Sequence, residues 1–551
     1  MVTRLAGRAG RGRATRIVAM LLALAMMAAA CGGDDDDGGG EDSGADQPAG
    51  EPQPGGKLVV GLEAETDGMD PTTANWAASA FAYAGAIFDP LTIRNADGEY
   101  VPYLAESVEP NDDYTVWTIT VREGISFHDG TPLNADAVLR NLEGHIASPL
   151  TGAAIVNIDT VEKVDDLSVE VTMKTPWVAF PVYLAAQIGH VAAPSMLDSE
   201  DGALNPVGTG PFVFDEWVPG QRFTASKNAD YWRADEGLPY LDEIEFRPIT
   251  EAQSRVSALQ SGEIDVLHTS DAEAITQLRD MGDQALLAEL TDGPTEEGLL
   301  MFNTAAPPFD NVHARLAVTH AVDRDRLNET INLGVTELAS GPFSGQDEYP
   351  APEFPAFDPD AVADELEAYE EDTGEELTFD YTTTNVATNL QAAELLQDMW
   401  ADAGIDVDIV PVEQAELIDN ALVGDFQLTV WRQFGAADPD GDLVWWTEDN
   451  AAPLGQLALN FSRFTNPDVQ AALEEGRQNP DPEARTEAYG SLSEVFAEEV
   501  PFLFLWRTLW VQASGSDVGG AGTAADLPNG DEGAPPLGGW ILSVRLYRTA
   551  G

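Results

Sequence analysis

Between residues 377 and 431 three strand-like stretches, "LTFDYTTT" (377–384), "IDVDIV" (405–410) and "DFQLTVW" (425–431), alternate with two helical ones, "AAELLQDMWADAG" (392–404) and "EQAELIDNALVG" (413–424). Consecutive strands separated by a helix lie parallel through right-handed crossovers, so this order predicts a mostly parallel sheet covered by helices. It excludes a helical bundle and a β-sandwich for this part of the chain. The earlier half reads differently. "GKLVVGL" (56–62) and "TVWTITV" (115–121) are rich in β-branched and aromatic residues and read as strands, the second leading through "REGISFHDGTPLNADAVLRNLEGHI" into a helix with Asn134 as its N-cap. A Gly/Pro-rich loop fills 515–539, after which "WILSVRLYR" (540–548) is expected to resume as an isolated strand returning to an earlier sheet. Two lobes joined by crossing segments accommodate both patterns.

The N-terminus has a separate purpose. Residues 1–16 carry five arginines and no acid, and "IVAMLLALAMMAAA" (17–30) is an uninterrupted apolar run ending in alanines. This is the shape of a secretory signal, and the run is shorter than the roughly 20 residues a membrane span needs. The only cysteine of the 551 residues, Cys31, follows at once. It has no partner for a disulfide and no pocket-forming sequence around it, which excludes a structural bridge and argues against a catalytic thiol. Cleavage before Cys31 would make it a lipidated N-terminus, as in bacterial lipoproteins. The alternative is a signal peptide with a chance cysteine, since Ala28 stands where that motif more often has leucine. Residues 32–56 hold nine glycines and eight acids with no large apolar residue, and read as a disordered tether.

Without the signal arginines and tether acids, the body from Lys57 onward still carries 22 basic against 88 acidic residues. Such a surface repels nucleic acid, and with only four lysines in the chain it matches the composition of high-GC, salt-adapted bacteria. Self-repulsion of this size is relieved by ions, whose screening length is about 10 Å at 0.1 M. Added salt is therefore expected to raise the melting temperature well beyond its effect on a neutral protein; a flat thermal melt from low to molar salt would contradict this.

No nucleophile elbow, zincin or P-loop pattern is present. "FHDG" (127–130) is turn chemistry rather than a metal site, and His313 and His320 lack the i, i+4 spacing of a zinc pair. No metal and no cofactor is expected. The "DDDD" run at 34–37 reads as a solvated charge run.

Four blocks in order carry a family resemblance: "YLAESVEPNDDYTVWTITVREGISFHDGTPLNADAV" (103–138), "NPVGTGPFVFDEWVPGQRFTASKNADYW" (205–232), "RVSALQSGEIDVL" (255–267) and "LLMFNTAAPPFDNVHARLAVTHAVDRDRL" (299–327). They resemble the family 5 extracellular solute-binding proteins, the peptide- and nickel-type binding subunits of ABC importers. The resemblance implies an α/β, two-lobed periplasmic-binding-protein-like fold of the large cluster C type, with a hinge between lobes and no chemistry of its own. It implies 57–298 plus 511–551 as the first lobe and 299–510 as the second, with crossings near "GLLMFN" and "FLWRTLWV". The implied partners are a peptide or similar medium-sized polar solute, a membrane permease and its ATPase subunits, met at the outer face of the cytoplasmic membrane to which a lipid anchor would hold the protein. Nickel-chelate or oligosaccharide binding by the same fold, and an exported hydrolase, are the alternatives.

The candidate site lies in "LTVWRQFGAADPDGDLVWW" (428–446). A loop after a strand ending at Trp431 would sit at the carboxyl edge of the sheet, where ligands bind in α/β folds. Trp431, Phe434, Trp445 and Trp446 offer aromatic faces, although tryptophans in such positions are as readily core. Arg432 offers a planar fork for an anion, or a partner for a neighbouring acid. Peptide-binding members of the family carry an Asp three residues before an acid-Pro pair to hold the peptide's amine; here the pair is Asp438-Pro439 and the earlier position is Gly435. Asp438 or Asp440 would have to replace that acid. On the family pattern Trp76 and Tyr83 line the first lobe's side of the cleft.

Overall fold

The computed structural model describes residues 50–549, apart from 150, 292, 347, 350, 434, 525 and 526. The signal segment, Cys31 and most of the tether lie outside the described residues. The tether's last residues are held: Pro52 and Gln53 pair with Thr549 and Arg548, and the Gly55 N–H bonds the Tyr240 carbonyl.

The first lobe is built on a seven-stranded mixed sheet in the spatial order Ala285–Leu290, Trp510–Gly515, Val266–Thr269, Lys57–Leu62, Glu243–Pro248, Arg222–Lys227, Phe212–Val218. The strand Lys57–Leu62 is parallel to both of its neighbours, and Leu58, Val60 and Leu62 are fully buried. A central strand covered on both faces needs the near-continuous apolar run seen in the sequence. A four-stranded antiparallel sheet (Ala105–Pro110, Val116–Val121, Ser168–Met173, Ile158–Lys163) extends this lobe. Its strand Val116–Val121 buries Trp117, Ile119 and Val121 at a period of two, as expected for a sheet with one wet face. The helix Ala135–Ala147 starts where predicted, with the Asn134 side chain accepting from the Ala137 N–H, a cap worth about 1 kcal/mol. It buries Val138, Asn141, Leu142 and His145 along one stripe, and the Asn141 amide ties it to both backbone groups of Ala192.

The second lobe holds the predicted parallel unit. Its five-stranded sheet runs Asp406–Val412, Thr378–Thr384, Leu428–Gln433, Glu297–Phe302, Phe502–Arg507, with Thr378–Thr384 parallel to both neighbours. Helices Ala387–Asp402 and Gln414–Val423 make the crossovers, and the second ends on Gly424 in the left-handed conformation that glycine adopts without strain. Trp400 locks the first helix down: fully buried, it meets Phe379 and Tyr381 edge-on and donates its indole N–H to the Val318 carbonyl.

The segment "GLLMFN" (298–303), expected at a crossing, lies mostly on the fully buried strand Glu297–Phe302, and the passage between sheets runs just before it, through 291–296. The return passage is 508–509. The two passages hold each other: the Thr508 N–H donates to the Glu296 carbonyl at 2.8 Å and the Thr295 hydroxyl to the Thr508 carbonyl at 2.7 Å. The strand that returns to the large sheet is Trp510–Gly515, whereas "WILSVRLYR" is largely irregular, with a 3₁₀ turn at Ser543–Arg545 and the short strand Tyr547–Thr549. Tertiary contacts overrode the β pattern: the Gln512 side chain takes the Trp540 carbonyl, and the Trp540 ring stacks on Phe81 at 3.7 Å.

Candidate functional site

A cavity of about 540 Å³ opens where the two lobes meet. From the first lobe it is lined by Trp76, Phe81, Tyr183, His190 and Trp540, and from the second by the loop 435–441 and Trp445. Its aromatic wall is continuous. Trp76 stacks on Phe88 (5.9 Å) and meets Phe81 and His190 edge-on, while its indole N–H is used on the Gly68 carbonyl at 3.2 Å. Trp76 therefore presents ring surface and no donor. His190 donates from Nδ1 to the Ala186 carbonyl, and burial brings its pKa down to about 4, so the ring is neutral.

The residues named from sequence fall into four groups. Trp76 lines the cavity, as does Trp445. Tyr83 is turned into the first lobe's core against Phe223 and Phe246, its hydroxyl buried and its pKa pushed up by desolvation. Trp431 packs on Phe461 in the second lobe's core, because the strand continues to Gln433 and alternation puts its ring on the inner face; Trp446 is core as well. Arg432, on the opposite face, is ion-paired with Glu296 and lies over the Trp510 ring. Asp438 is claimed by Arg485 at 2.6 Å, and burial pushes its carboxyl up despite that cation. Phe434 lies outside the described residues.

Phe81, His190, Tyr183 and Trp540 were not singled out from sequence. Phe81 and Trp540 carried a usable signal, an aromatic in "NWAASAFAY" and another closing a Gly/Pro-rich loop, but their stacking joins residues more than four hundred positions apart.

Carboxylates at the cavity are occupied. Asp89 accepts from Thr209, Tyr231 and the Trp232 indole; Glu296 is held by Arg432 and the Trp510 indole. Asp440, in the loop beside the cavity, is fully buried and takes a bidentate bond from Arg477 (2.6 and 3.0 Å). It also accepts from the Trp177 indole (2.7 Å) and the Tyr183 hydroxyl (3.0 Å), both across the cleft in the first lobe. An ammonium group entering here meets no uncommitted carboxylate among the described residues.

Gly435 cannot regain the acid. A Cβ on it would collide with the backbone carbonyl of Thr295 in the passage between lobes. Gly435→Asp is therefore expected to lower stability by about 1–3 kcal/mol through overpacking. It is expected to gain no affinity for a free-amine dipeptide; calorimetry showing such a gain, with an unchanged melt, would contradict this.

One pair has the look of hydrolase chemistry: Ser79 Oγ lies 3.2 Å from His268 Nε2. Both residues are buried, His268 Nδ1 faces the Gly539 carbonyl at 2.7 Å, and desolvation holds the imidazole pKa at about 3. A base so weak and so enclosed has no route to a substrate.

Residues 99–453 match the family described as bacterial extracellular solute-binding proteins, family 5 Middle. The chain is 26% identical over 473 residues to the glutathione-binding protein GsiB of Pectobacterium atrosepticum, covering 84% of this chain and 90% of that one. In fold it resembles the periplasmic binding protein DppA from Helicobacter pylori in complex with the peptide STSA (TM-score 0.76, 23% identity, 90% of this chain and 99% of that one). It equally resembles NikA from Brucella suis in complex with Fe(III)-EDTA (TM-score 0.76, 22% identity, 90% and 100%).

Proposed function

The chain belongs to family 5 of the bacterial extracellular solute-binding proteins, and from that premise we propose that it is the capture subunit of an ABC importer that encloses a peptide-like solute with an apolar body and no free ammonium. The observation that supports this reading is the aromatic cavity between the lobes, where the carboxylates that could neutralise an amine are already held by arginines or neutral donors. Desolvating an unpaired ammonium costs several kcal/mol, which an apolar wall does not return. The lining thus narrows the expected polar solute to one whose polar groups sit at its ends. Closure turns on the passages at 291–296 and 508–509, so the lobe boundaries expected at 298/299 and 510/511 move to just before Glu297 and just before Trp510. Trp76 is a direct ligand contact, while Arg432 and Asp438 act from behind the wall through Glu296 and Arg485.

The test is the solute itself. Protein purified without refolding is examined by native mass spectrometry for a retained ligand, and emptied protein is titrated with N-acetylated and free-amine apolar peptides while intrinsic tryptophan fluorescence and small-angle scattering are followed. Binding of the N-acetylated set with compaction supports the reading. Preference for free-amine peptides, or turnover of the bound solute, overturns it. We assign membrane attachment to Cys31: Cys31→Ser is expected to release a folded body from the membrane fraction, and a variant that stays membrane-bound would refute the anchor.

A further inference from the structure

One cation at the cavity has, among the described residues, no side-chain hydrogen bond or ion pair. Arg94 ends the short strand Thr92–Arg94 and lines the cavity with half-buried exposure. Among the described residues it forms no ion pair, and its guanidinium donates no hydrogen bond. The contrast with the rest of the molecule is sharp in a chain of 96 acids and 27 lysines and arginines. Arg122, Arg324, Arg463, Lys174 and Lys227 are held by backbone carbonyls. Most other described basic side chains are held by carboxylates, Arg432 and Arg477 behind the cavity wall among them. Besides Arg94, Arg326 alone among the described residues lacks such a partner, and it stands on the outer surface in water.

The position of Arg94 is specific. Its guanidinium lies over two glycines with positive φ, Gly98 in its own hairpin and Gly293 in the passage between lobes: a Cβ at Gly293 would sit 3.5 Å from one guanidinium nitrogen and 3.6 Å from the other, and one at Gly98 3.7 Å. A Cβ at either place would only touch the fork in ordinary van der Waals contact; the positive φ is what favours glycine there, and the fork lies at the cavity where the lobes meet. A second donor shares the lining, since the buried Asn75 amide nitrogen has no hydrogen-bond partner. Asp89 and Glu296, the carboxylates of the lining, are occupied as described. The lining therefore holds no uncommitted carboxylate among the described residues, and the rest of its surface is largely apolar and aromatic.

We infer that Arg94 is the residue that selects the ligand's charge, holding a terminal carboxylate by its planar fork while the aromatic wall takes the apolar body. The inference rests on the solute-capture reading above and deepens it: the ligand class becomes an amine-blocked or amine-free carboxylate carrying net negative charge. A guanidinium matches a carboxylate with two parallel N–H donors, which a lysine could not reproduce. A peptide amide or ester of the same shape offers a neutral oxygen and forfeits the charge-assisted part of the bond. Half burial matters here, because a cation fully in water would discriminate little.

The test uses matched pairs, N-acetyl-Phe-Leu and N-acetyl-Leu-Phe-Leu as free acids and as C-terminal amides, titrated by calorimetry into the full exported chain, into Arg94→Gln and into Arg326→Gln as the charge-matched surface control. The acids are expected to bind the unaltered protein about ten- to a hundredfold more tightly than the amides, the range of a charged hydrogen bond. Arg94→Gln should bring that ratio close to one with the amide affinity unchanged, while Arg326→Gln keeps it. Because the Arg94 guanidinium bonds nothing among the described residues, the Arg94→Gln melt should match that of the parent. Equal binding of acid and amide by the unaltered protein, or a ratio that survives Arg94→Gln, overturns the inference and leaves the capture reading standing. Failure of every acid and amide to bind, with free-amine peptides or another solute class binding instead, overturns the capture reading and the inference with it.

Discussion

Arg477→Ala is expected to destabilise the protein by about 3–5 kcal/mol, the cost of leaving a buried carboxylate without its cation. Asp440 is fully buried, and Arg477 meets it with two guanidinium nitrogens while stacking over the Trp177 ring at 4.6 Å. Two further donors to Asp440, the Trp177 indole and the Tyr183 hydroxyl, come from the first lobe, and the Val178 N–H reaches the Arg477 carbonyl. The cluster therefore joins the lobes as well as stabilising the loop at 439–442. Denaturant unfolding measures the first effect, and small-angle scattering of the ligand-free variant should show a more open particle than the parent. Replacing both partners, Asp440→Leu with Arg477→Met, would remove the stranded charge. It would also leave the Trp177 and Tyr183 donors without an acceptor, so only part of the loss should return. A loss below about 1 kcal/mol in Arg477→Ala would mean that the cluster is hydrated and exchanges its partners freely.

The second large effect is a fall of stability with rising pH. Burial pushes the Glu297 carboxyl up to about 8, against the Ser344 N–H that stabilises its charge and with Asp442 adding repulsion; Arg507 pulls it down only weakly. Asp442 is likewise pushed up by burial to about 8, although the Gln433 amide donates to it. In the native protein both hold a proton that the unfolded chain has released by about pH 4–5. Where the native state binds more protons, unfolding free energy falls as pH rises, so stability is lost from there up to about pH 8 and is level above it, by up to about 1.4 kcal/mol per pH unit for each group. The buried histidines run the other way. Desolvation brings His145 and His268 down to about 3 and His190 to about 4, so their contribution is complete above pH 6.5 and is lost as pH falls below it. From about pH 7 to 8 the carboxyls dominate, because the unfolded-state histidines have by then released most of their protons and surface acids are fully ionised and add no slope. Chemical denaturation across that interval should give a declining stability in the parent and a shallower decline in the double variant Glu297→Gln, Asp442→Asn, whose amides keep the hydrogen-bond acceptors. Equal slopes would show that both acids are ionised in the native state.

Much of the architecture was legible from local pattern. The helix at Ala135–Ala147 begins at its asparagine cap because a side-chain oxygen next to an apolar stripe satisfies the orphan N–H groups wherever it occurs. The parallel unit at 378–433 follows from strand and helix periods that each need one buried face. The absence of an acid at Gly435 was also visible, and the collision a Cβ would make with Thr295 turns that departure into a structural requirement.

What the sequence by itself determined was therefore the parallel unit and the capped helix after Asn134, the family, and the aromatic character of the segments around Trp76 and Trp445, but not the C-terminal segment 540–548. The tertiary structure alone decided which polar groups remain available to a ligand. Arg432, Asp438 and Asp440 all read as candidate binders, and the fold assigns each a partner from a different element: Glu296 in the passage, Arg485 and Arg477 on the helices beyond. Arg94 carried no motif, and only the fold leaves its guanidinium, among the described residues, without an acceptor at the cavity's edge. The reason is physical. Secondary structure follows from spacings of two to four residues along the chain, whereas the commitment of a charge depends on which opposite charge the fold brings within about 3 Å. In this protein that choice spans separations as long as the 283 residues between Arg548 and Asp265.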